Sequence, residues 1–153
     1  MQKGSPLDSA LRMLTLRDHS EAELRRKLKE KGFQEGVEAT IDRMRELGYL
    51  DDARFARSFA TSAIRNGRGF GARLKMELAR RGVAEPIIRE TLSEIAEEFG
   101  EAEVLARTIE RRFSGFDPKE ASDKEKRKVV AYLQRKGFSL RAILAGLRIQ
   151  SIN

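Results

Sequence analysis

The sequence predicts an all-α fold in which nine helices form an elongated, curved array of three tandem three-helix repeats. Three observations lead to this prediction. Apolar residues recur three and four positions apart along the chain, and capping residues and glycines lie at the ends of these periodic segments. One short sequence pattern, called the phrase below, occurs three times. No segment alternates apolar and polar residues over four or five positions, so we expect no sheet.

Helical spacing is clear from the first helix onward. Leu7, Leu11 and Leu14 lie at i, i+4 and i+7, and Phe55 and Phe59 form a four-residue pair. This spacing places apolar side chains on one face of a helix. The predicted helices cover residues 6–17, 20–31, 35–47, 52–66, 71–81, 86–98, 101–113, 122–136 and 140–149.

Residues at the predicted helix ends agree with this assignment. Ser5 before Pro6 is typical of an N-cap followed by a first-turn proline, and Ser20 with Glu23 has the spacing of a capping box. Ser139 is a further N-cap candidate. Four glycines follow helices where a left-handed residue is needed, namely Gly32, Gly48, Gly82 and Gly137.

The repeated phrase occurs at Leu24–Phe33, Leu74–Val83 and Val129–Phe138. Each copy has an apolar pair four residues apart, then basic residues, one glycine and one apolar residue. If this phrase is the middle helix of a repeat, three repeats account for all nine helices, and neighbouring repeats should stack because each is too small to bury its apolar faces alone. One compact nine-helix bundle is the alternative. The predicted repeats cover residues 1–50, 51–99 and 100–153.

Composition narrows the class of protein. The 31 Lys and Arg residues exceed the 24 Asp and Glu residues and give a net charge of +7, which suits a polyanion or an acidic protein surface. The absence of cysteine excludes disulfides, thiolate zinc sites and cysteine nucleophiles. The sequence lacks both an apolar run of about 18 residues and a signal-peptide core, so we expect a cytoplasmic protein with no membrane association.

Charge is segregated along the chain. Leu24–Phe33 carries five basic residues and one acidic residue, Arg65–Arg81 six and one, and Asp123–Arg141 seven and two, whereas Glu85–Glu110 carries two and eight. A single basic run is usually a solvated helix face. Because the same helix is basic in all three repeats, we predict one positive stripe along the array.

Two local patterns resemble nucleic-acid or nucleotide motifs. The glycine turn before Glu35–Leu47 resembles a helix-turn-helix, but the mixed charge of that helix and the acidic character of Pro86–Glu98 argue against sequence-specific duplex binding. The loop Arg65–Gly71 has three alternating glycines, yet no strand precedes it and no Lys-Ser/Thr follows, so we predict no nucleotide cofactor.

This glycine-rich loop has two interpretations that the sequence leaves open. Arg65, Arg68 and Arg73 could form a basic clamp for a phosphate or a carboxylate. The loop could instead be a helix connector with Phe70 packed inside.

The sequence shows no catalytic or metal-binding constellation. His19 stands alone just before a cap position, so we interpret it as a surface or capping residue. Asp51 and Asp52 could be paired carboxylates or metal ligands, but two acids at the start of a helix are typical of an N-cap and a favourable helix-dipole contact. We therefore predict neither enzymatic activity nor a bound metal or cofactor.

The segment LGYLDDARFARSF, Leu47–Phe59, closely resembles the signature of the RecX proteins, which are bacterial regulators of the RecA recombinase. Further similar segments are SEAELRRKLKEKGF at Ser20–Phe33, GRGFGARLKMELARRGV at Gly67–Val83 and YLQRKGFSLRAI at Tyr132–Ile143. The resemblance extends from about Leu7 to Ile149. It implies three tandem three-helix repeats, in agreement with the independent count.

The resemblance also implies a partner, the RecA filament assembled on single-stranded DNA. Such proteins occupy the helical groove of that filament and inhibit its ATPase, strand-exchange and coprotease activities, with roles in DNA repair, homologous recombination and the SOS response. Weaker, non-specific binding to single- and double-stranded DNA is also implied, and we expect the chain to act as a monomer.

The basic residues of the middle helices and of the glycine-rich loop are our candidates for contact with the partner or with DNA. They are Arg25, Arg26, Lys29, Arg65, Arg68, Arg73, Lys75, Arg80, Arg81, Lys126, Arg127 and Arg135. The predicted core residues are Leu24, Leu28, Phe55, Phe59, Leu74, Leu78 and Leu133. Two other classes stay open: a DNA-binding protein without sequence preference, and a nuclease that uses Asp51 and Asp52 with a metal.

Overall fold

The computed structural model describes residues 4–150, and within that range the chain forms nine α-helices and no strand. The helices are α1 (Pro6–Leu16), α2 (Glu21–Glu30), α3 (Val37–Glu46), α4 (Asp52–Arg65), α5 (Gly71–Arg80), α6 (Glu85–Glu98), α7 (Glu101–Phe113), α8 (Asp123–Arg135) and α9 (Leu140–Leu147). Between residues 4 and 150, no helix has both the length and the apolar character that a membrane span requires.

Two helix ends differ from the prediction for the same physical reason. Helix α3 begins at Val37 and not at residue 35, because Gly36 has a left-handed backbone with φ +78°. Helix α9 ends at Leu147 because Arg148 adopts φ +60°. A left-handed residue breaks the run of helical dihedral angles, so a helix stops or starts beside it.

The predicted N-caps are present. The Ser5 hydroxyl accepts the N–H three residues later at 3.0 Å, directly before Pro6. Ser20 and Glu23 form a reciprocal capping box: the Ser20 hydroxyl accepts the Glu23 N–H at 3.1 Å, and the Glu23 carboxylate accepts the Ser20 N–H at 3.0 Å. These bonds satisfy backbone donors that a helix N-terminus leaves without partners.

The thrice-repeated phrase ends in the same backbone structure each time. Gly32, Gly82 and Gly137 have φ angles of +98°, +81° and +105°. In each copy the N–H of the next residue donates to the carbonyl five positions earlier, as in a Schellman motif. These bonds join Phe33 to Leu28, Val83 to Leu78 and Phe138 to Leu133, at 3.2, 3.1 and 3.2 Å. The repeat read from the sequence is therefore also a repeat of local structure.

The helices pack into two compact units, each with its own apolar core. The first unit contains the chain up to Ser58 together with Glu77–Thr91, and the second contains Phe59–Met76 and the chain from Leu92 onward. The first core is built from α1–α3 with Leu50, and its residues are Ala10, Met13, Leu24, Leu28, Val37, Ile41, Met44 and Leu50. The second core includes Phe70, Leu74, Leu105, Leu133, Phe138 and Ile143.

The second predicted repeat is divided between these units, since α4, α5 and α6 each contribute residues to both. The repeat boundaries after residues 50 and 99 stay a prediction. Six of the seven predicted core residues are buried, whereas Phe59 is partly buried and packs against the second core.

Candidate partner-binding surface

Most of the predicted binding residues lie on or directly after α2, α5 and α8. Arg65 is the last residue of α4, and Arg68 lies in the loop that follows it. Eight of the predicted residues are exposed, namely Arg26, Lys29, Arg65, Arg68, Lys75, Arg80, Arg127 and Arg135. Four are partly buried, namely Arg25, Arg73, Arg81 and Lys126. Alignment of the three helices into one continuous positive stripe stays a prediction.

Arg25 is already engaged within the first unit. Its guanidinium donates to both oxygens of the Glu38 carboxylate, at 2.7 and 3.0 Å, and to Glu21 at 3.2 Å. The hydrogen bonds from Arg25 lower the pKa of Glu38. Arg45 also donates to Glu21 and, at 3.0 Å, to Asp42. Arg25 therefore holds α2 against α3, and its charge is matched inside the molecule.

Three other predicted residues converge on one cleft in the first unit. This cleft has a volume of about 350 Å³ and lies between α2 and the C-terminal end of α5. Arg26 lines it from α2, and Arg80 and Arg81 line it from the end of α5. The remaining lining residues are Ala22, Glu23, Glu77 and Gly82. The sequence places Arg26 more than 50 positions before Arg80 and Arg81, and only folding joins them.

The walls of this cleft are held closely together. The Ser20 hydroxyl donates to the Arg81 carbonyl at 2.6 Å. A Cβ added to Gly82 would lie 2.3 Å from the Cβ of Ala22, so glycine is needed for this approach. Glu77 accepts from Arg81 at 2.8 Å and pairs with Arg80 at 3.6 Å. The cleft thus offers three guanidinium groups, two of which already share one carboxylate.

The glycine-rich loop is a packed helix connector. Phe70 is buried in the second unit and stacks on Phe138, with ring centroids 5.5 Å apart and an interplanar angle of 9°. The Phe70 N–H donates to the Lys136 carbonyl at 2.8 Å. The interpretation of the loop as a helix connector with Phe70 packed inside is therefore confirmed. Arg68 is exposed beside it and donates to the Ser62 hydroxyl at 2.9 Å.

Asp51 and Asp52 each cap a helix. Asp51 accepts the Arg54 N–H at 3.1 Å and so caps α4, as predicted. Asp52 accepts the N–H of Glu21, the first residue of α2, at 2.8 Å. Among residues 4–150, no three His, Asp or Glu side chains are grouped as metal ligands would be.

His19 is not the surface residue that the sequence suggested, because the fold buries it with only 3% of its surface exposed. Its Nδ1 lies 3.0 Å from the Arg17 carbonyl, and its Nε2 lies 3.2 Å from Lys27 Nζ. Since the ammonium can only donate, Nε2 accepts and Nδ1 carries the proton. Burial and the neighbouring charges of Arg17 and Lys27 lower the pKa of His19.

A second basic cleft, in the second unit, includes two arginines that our sequence reasoning did not select. Arg107 and Arg111 of α7 line a cleft of about 30 Å³ together with Arg65. The other lining residues are Ile64, Gly67, Phe99, Val104 and Thr108. The sequence signal was present as two arginines four positions apart, but the acidic segment Glu85–Glu110, which contains Arg107 and ends directly before Arg111, concealed it.

The fold and surface define a class: an all-helical repeat protein with basic clefts. Family models for the first, second and third three-helix domains of RecX match residues 7–44, 51–92 and 100–145. The Regulatory protein RecX of Syntrophotalea carbinolica is 39% identical over 132 residues, covering 86% of each chain. That of Trichlorobacter lovleyi is 40% identical over 131 residues, covering 85% of each chain. The chain belongs to the RecX family.

Solved structures agree at the level of the fold. The crystal structure of RecX from Lactobacillus salivarius superposes with a TM-score of 0.73 at 18% identity, covering 94% of this chain and 92% of that one. A second structure, of a regulatory protein RecX, gives a TM-score of 0.74 at 23% identity, covering 94% of this chain and 71% of that one. The predicted three-repeat helical fold is thereby confirmed.

Proposed function

We propose that this protein regulates the RecA recombinase by binding the RecA–DNA filament in its helical groove and inhibiting ATP hydrolysis, strand exchange and coprotease activity. The observation that carries the proposal is the match to all three RecX domains along most of the chain, to relatives named regulatory proteins. In this proposal the protein acts in the cytoplasm and performs no chemistry of its own.

The described surface supports this proposal through its charges. Exposed basic side chains lie on or beside α2, α5 and α8, and the three arginines of the 350 Å³ cleft come from two different repeats. Guanidinium forks suit carboxylates on a protein surface and phosphates on DNA. If each repeat makes a weak contact with the filament, the linked contacts strengthen one another through their effective concentration.

The test adds purified protein to a preformed RecA filament and follows DNA-dependent ATP hydrolysis. We expect the wild-type chain to inhibit and the double variant Arg68→Glu/Arg73→Glu to lose most of that inhibition, because charge reversal repels an acidic or phosphate partner. Arg68→Glu alone is also measured, since Arg68 is exposed whereas Arg73 is partly buried.

Arg12→Glu/Arg43→Glu is the matched control: both residues are exposed, lie outside the predicted set and carry the same total charge change. The proposal is supported if the control variant inhibits ATP hydrolysis as strongly as the wild-type chain does, while the loop variants lose their inhibition. Equal inhibition by all four proteins contradicts the role given to the loop. Absence of inhibition by the wild-type chain contradicts the proposal itself.

A further inference from the structure

Three arginines in the second unit surround one glycine turn. Arg65 is the last residue of α4, and Arg107 and Arg111 lie one turn apart on α7. All three side chains are exposed, and all three line the 30 Å³ cleft together with Gly67. Residues four apart on a helix project from the same face, so α7 presents two guanidinium groups to the turn that follows α4.

The turn leaves room for the Arg111 guanidinium. A Cβ added to Gly67 would lie 2.6 Å from Nη1 of Arg111 and 3.8 Å from its Cζ. Gly67 also has a left-handed backbone with φ +67°. The turn is fixed by two hydrogen bonds, from the Gly67 N–H to Ile64 O at 3.2 Å and from the Arg68 N–H to Ala63 O at 2.8 Å. The guanidinium therefore lies over a rigid turn.

Among the residues that the structure describes, no carboxylate lines this cleft. Within residues 4–150, no ion pair joins Arg65, Arg107 or Arg111 to an acidic side chain. Arg25 and Arg45 of the first unit differ in this respect, because Glu21, Glu38 and Asp42 accept their hydrogen bonds. Within the described residues, the three guanidinium groups beside Gly67 thus form no direct ion pair.

The size of the cleft limits its ligand. A volume of about 30 Å³ holds one or two water-sized groups and excludes a base or a sugar ring. One or two oxygens of a phosphate or carboxylate group therefore fit, while the rest of the group stays outside the cleft. Three guanidinium groups exceed the charge of one carboxylate, whereas a polyanion with closely spaced charges can match all three. A nucleic-acid strand has this charge distribution, since one phosphate accompanies every nucleotide.

We propose that Arg65, Arg107 and Arg111 form a phosphate-binding cleft that holds the backbone of a nucleic-acid strand without reading its bases. Neither Arg107 nor Arg111 belongs to the binding set predicted from the sequence. The site goes beyond the proposed regulation of RecA, and it can be tested with no recombinase present. Failure of one proposal therefore leaves the other intact.

The experiment measures fluorescence anisotropy of a labelled oligo(dT) titrated with the full chain at several salt concentrations. We expect Arg107→Gln/Arg111→Gln to weaken binding by about a hundredfold at low salt, since two contacts are lost and a hydrogen bond to a charged group is worth about one decade of affinity. The slope of log K against log salt should fall by about 1.4, or 0.7 for each lost phosphate contact to a single strand. A labelled oligo(dA) should bind as oligo(dT) does.

Arg12→Gln/Arg43→Gln is the control, with the same charge change on exposed residues of the first unit. Arg107→Lys/Arg111→Lys keeps the charge and should retain the salt slope with weaker binding. Thermal melting of each variant verifies folding. If the control variant weakens DNA binding equally, the loss is an effect of net charge and the proposed site is rejected. Unchanged binding by the double Gln variant would overturn it as well. Tighter binding of a poly-glutamate peptide, lost in the double Gln variant, would assign the cleft to an acidic protein segment and reject the nucleic acid.

Discussion

The side chain of Asp52 accepts a hydrogen bond from the backbone N–H of Glu21, 31 positions earlier in the chain, at 2.8 Å. Asp52 is the first residue of α4 and Glu21 the first of α2, so this hydrogen bond joins the N-terminal ends of the two helices. Asp52 is partly buried, and desolvation raises its pKa. The acidic pair of the family signature thus stabilises the fold of the first unit.

Replacement of Asp52 separates this structural role from a catalytic one. Asp52→Ala should lower the free energy of unfolding by about 1–2 kcal/mol, because the Glu21 N–H loses its acceptor. Asp52→Asn keeps an oxygen acceptor and should lose less than half as much. Urea unfolding at pH 7 measures both. Equal losses would show that the negative charge, and not the hydrogen bond, matters.

His19 should make folding sensitive to mild acid. Its pKa is lowered in the folded chain, so below its ordinary value near 6.5 the unfolded chain takes up a proton that the folded chain resists. The free energy of unfolding should therefore fall as pH decreases from about 6.5, until the lowered pKa of the folded state is passed. His19→Gln removes the titration and should flatten this part of the curve. Denaturant unfolding from pH 7.5 to 5 provides the measurement, and identical slopes in the two proteins would contradict it.

Two glycines that both have a positive φ should differ sharply in how much their mutation lowers the free energy of unfolding. A Cβ added to Gly137 would lie 1.8 Å from the Phe70 carbonyl oxygen and 2.7 Å from the Arg73 nitrogen. Near Gly48, with φ +81°, no atom comes within 4 Å of such a Cβ. Gly48→Ala should cost about 1–2 kcal/mol from left-handed strain alone. Gly137→Ala should cost about 3–5 kcal/mol, because rigid backbone atoms clash as well.

Thermal or urea unfolding of both glycine variants gives the comparison. Similar losses at Gly137 and Gly48 would mean that the chain around Phe70 yields, and that the contact between the glycine-rich loop and the turn after α8 is not rigid.

The equivalent leucines of the three repeated phrases should respond alike. Leu28, Leu78 and Leu133 are fully buried, so each truncation to Ala should cost about 2–5 kcal/mol from lost burial and the resulting cavity. Leu16, which is 81% exposed, is the control, and Leu16→Ala should change stability by less than about 0.5 kcal/mol. Urea unfolding tests the series. A loss below 1 kcal/mol at one leucine would show that its repeat packs differently from the other two.

Much of the fold was predictable because its determinants are local. Apolar spacing, the Ser20–Glu23 capping box and the glycine near the end of each phrase act within about five residues, and all are present in the structure. Local sequence signals also gave a wrong prediction where tertiary packing determines whether a side chain is buried. Nothing near His19 in the sequence indicates burial, because the side chain is covered by the packing of the fold around it.

The candidate surface was predicted only in part. The sequence identified which residues are basic, but not which arginines are already paired. Arg25 is held by Glu38, 13 positions away. Among the described residues, Arg107 and Arg111 form no such ion pair, although Arg107 lies within an acidic segment. Averaging charge along the chain cannot separate these cases, because ion pairs depend on distances in three dimensions.

The sequence by itself determined the helices, the threefold repetition and the family, since periodicity and capping require only neighbours along the chain. The tertiary structure alone decided that Arg26 meets Arg80 and Arg81 in one cleft, that Asp52 caps α2, and that Arg65 joins two arginines of α7. Each of these depends on how helices distant in sequence pack, and that packing minimises the free energy of whole apolar faces rather than of any local segment.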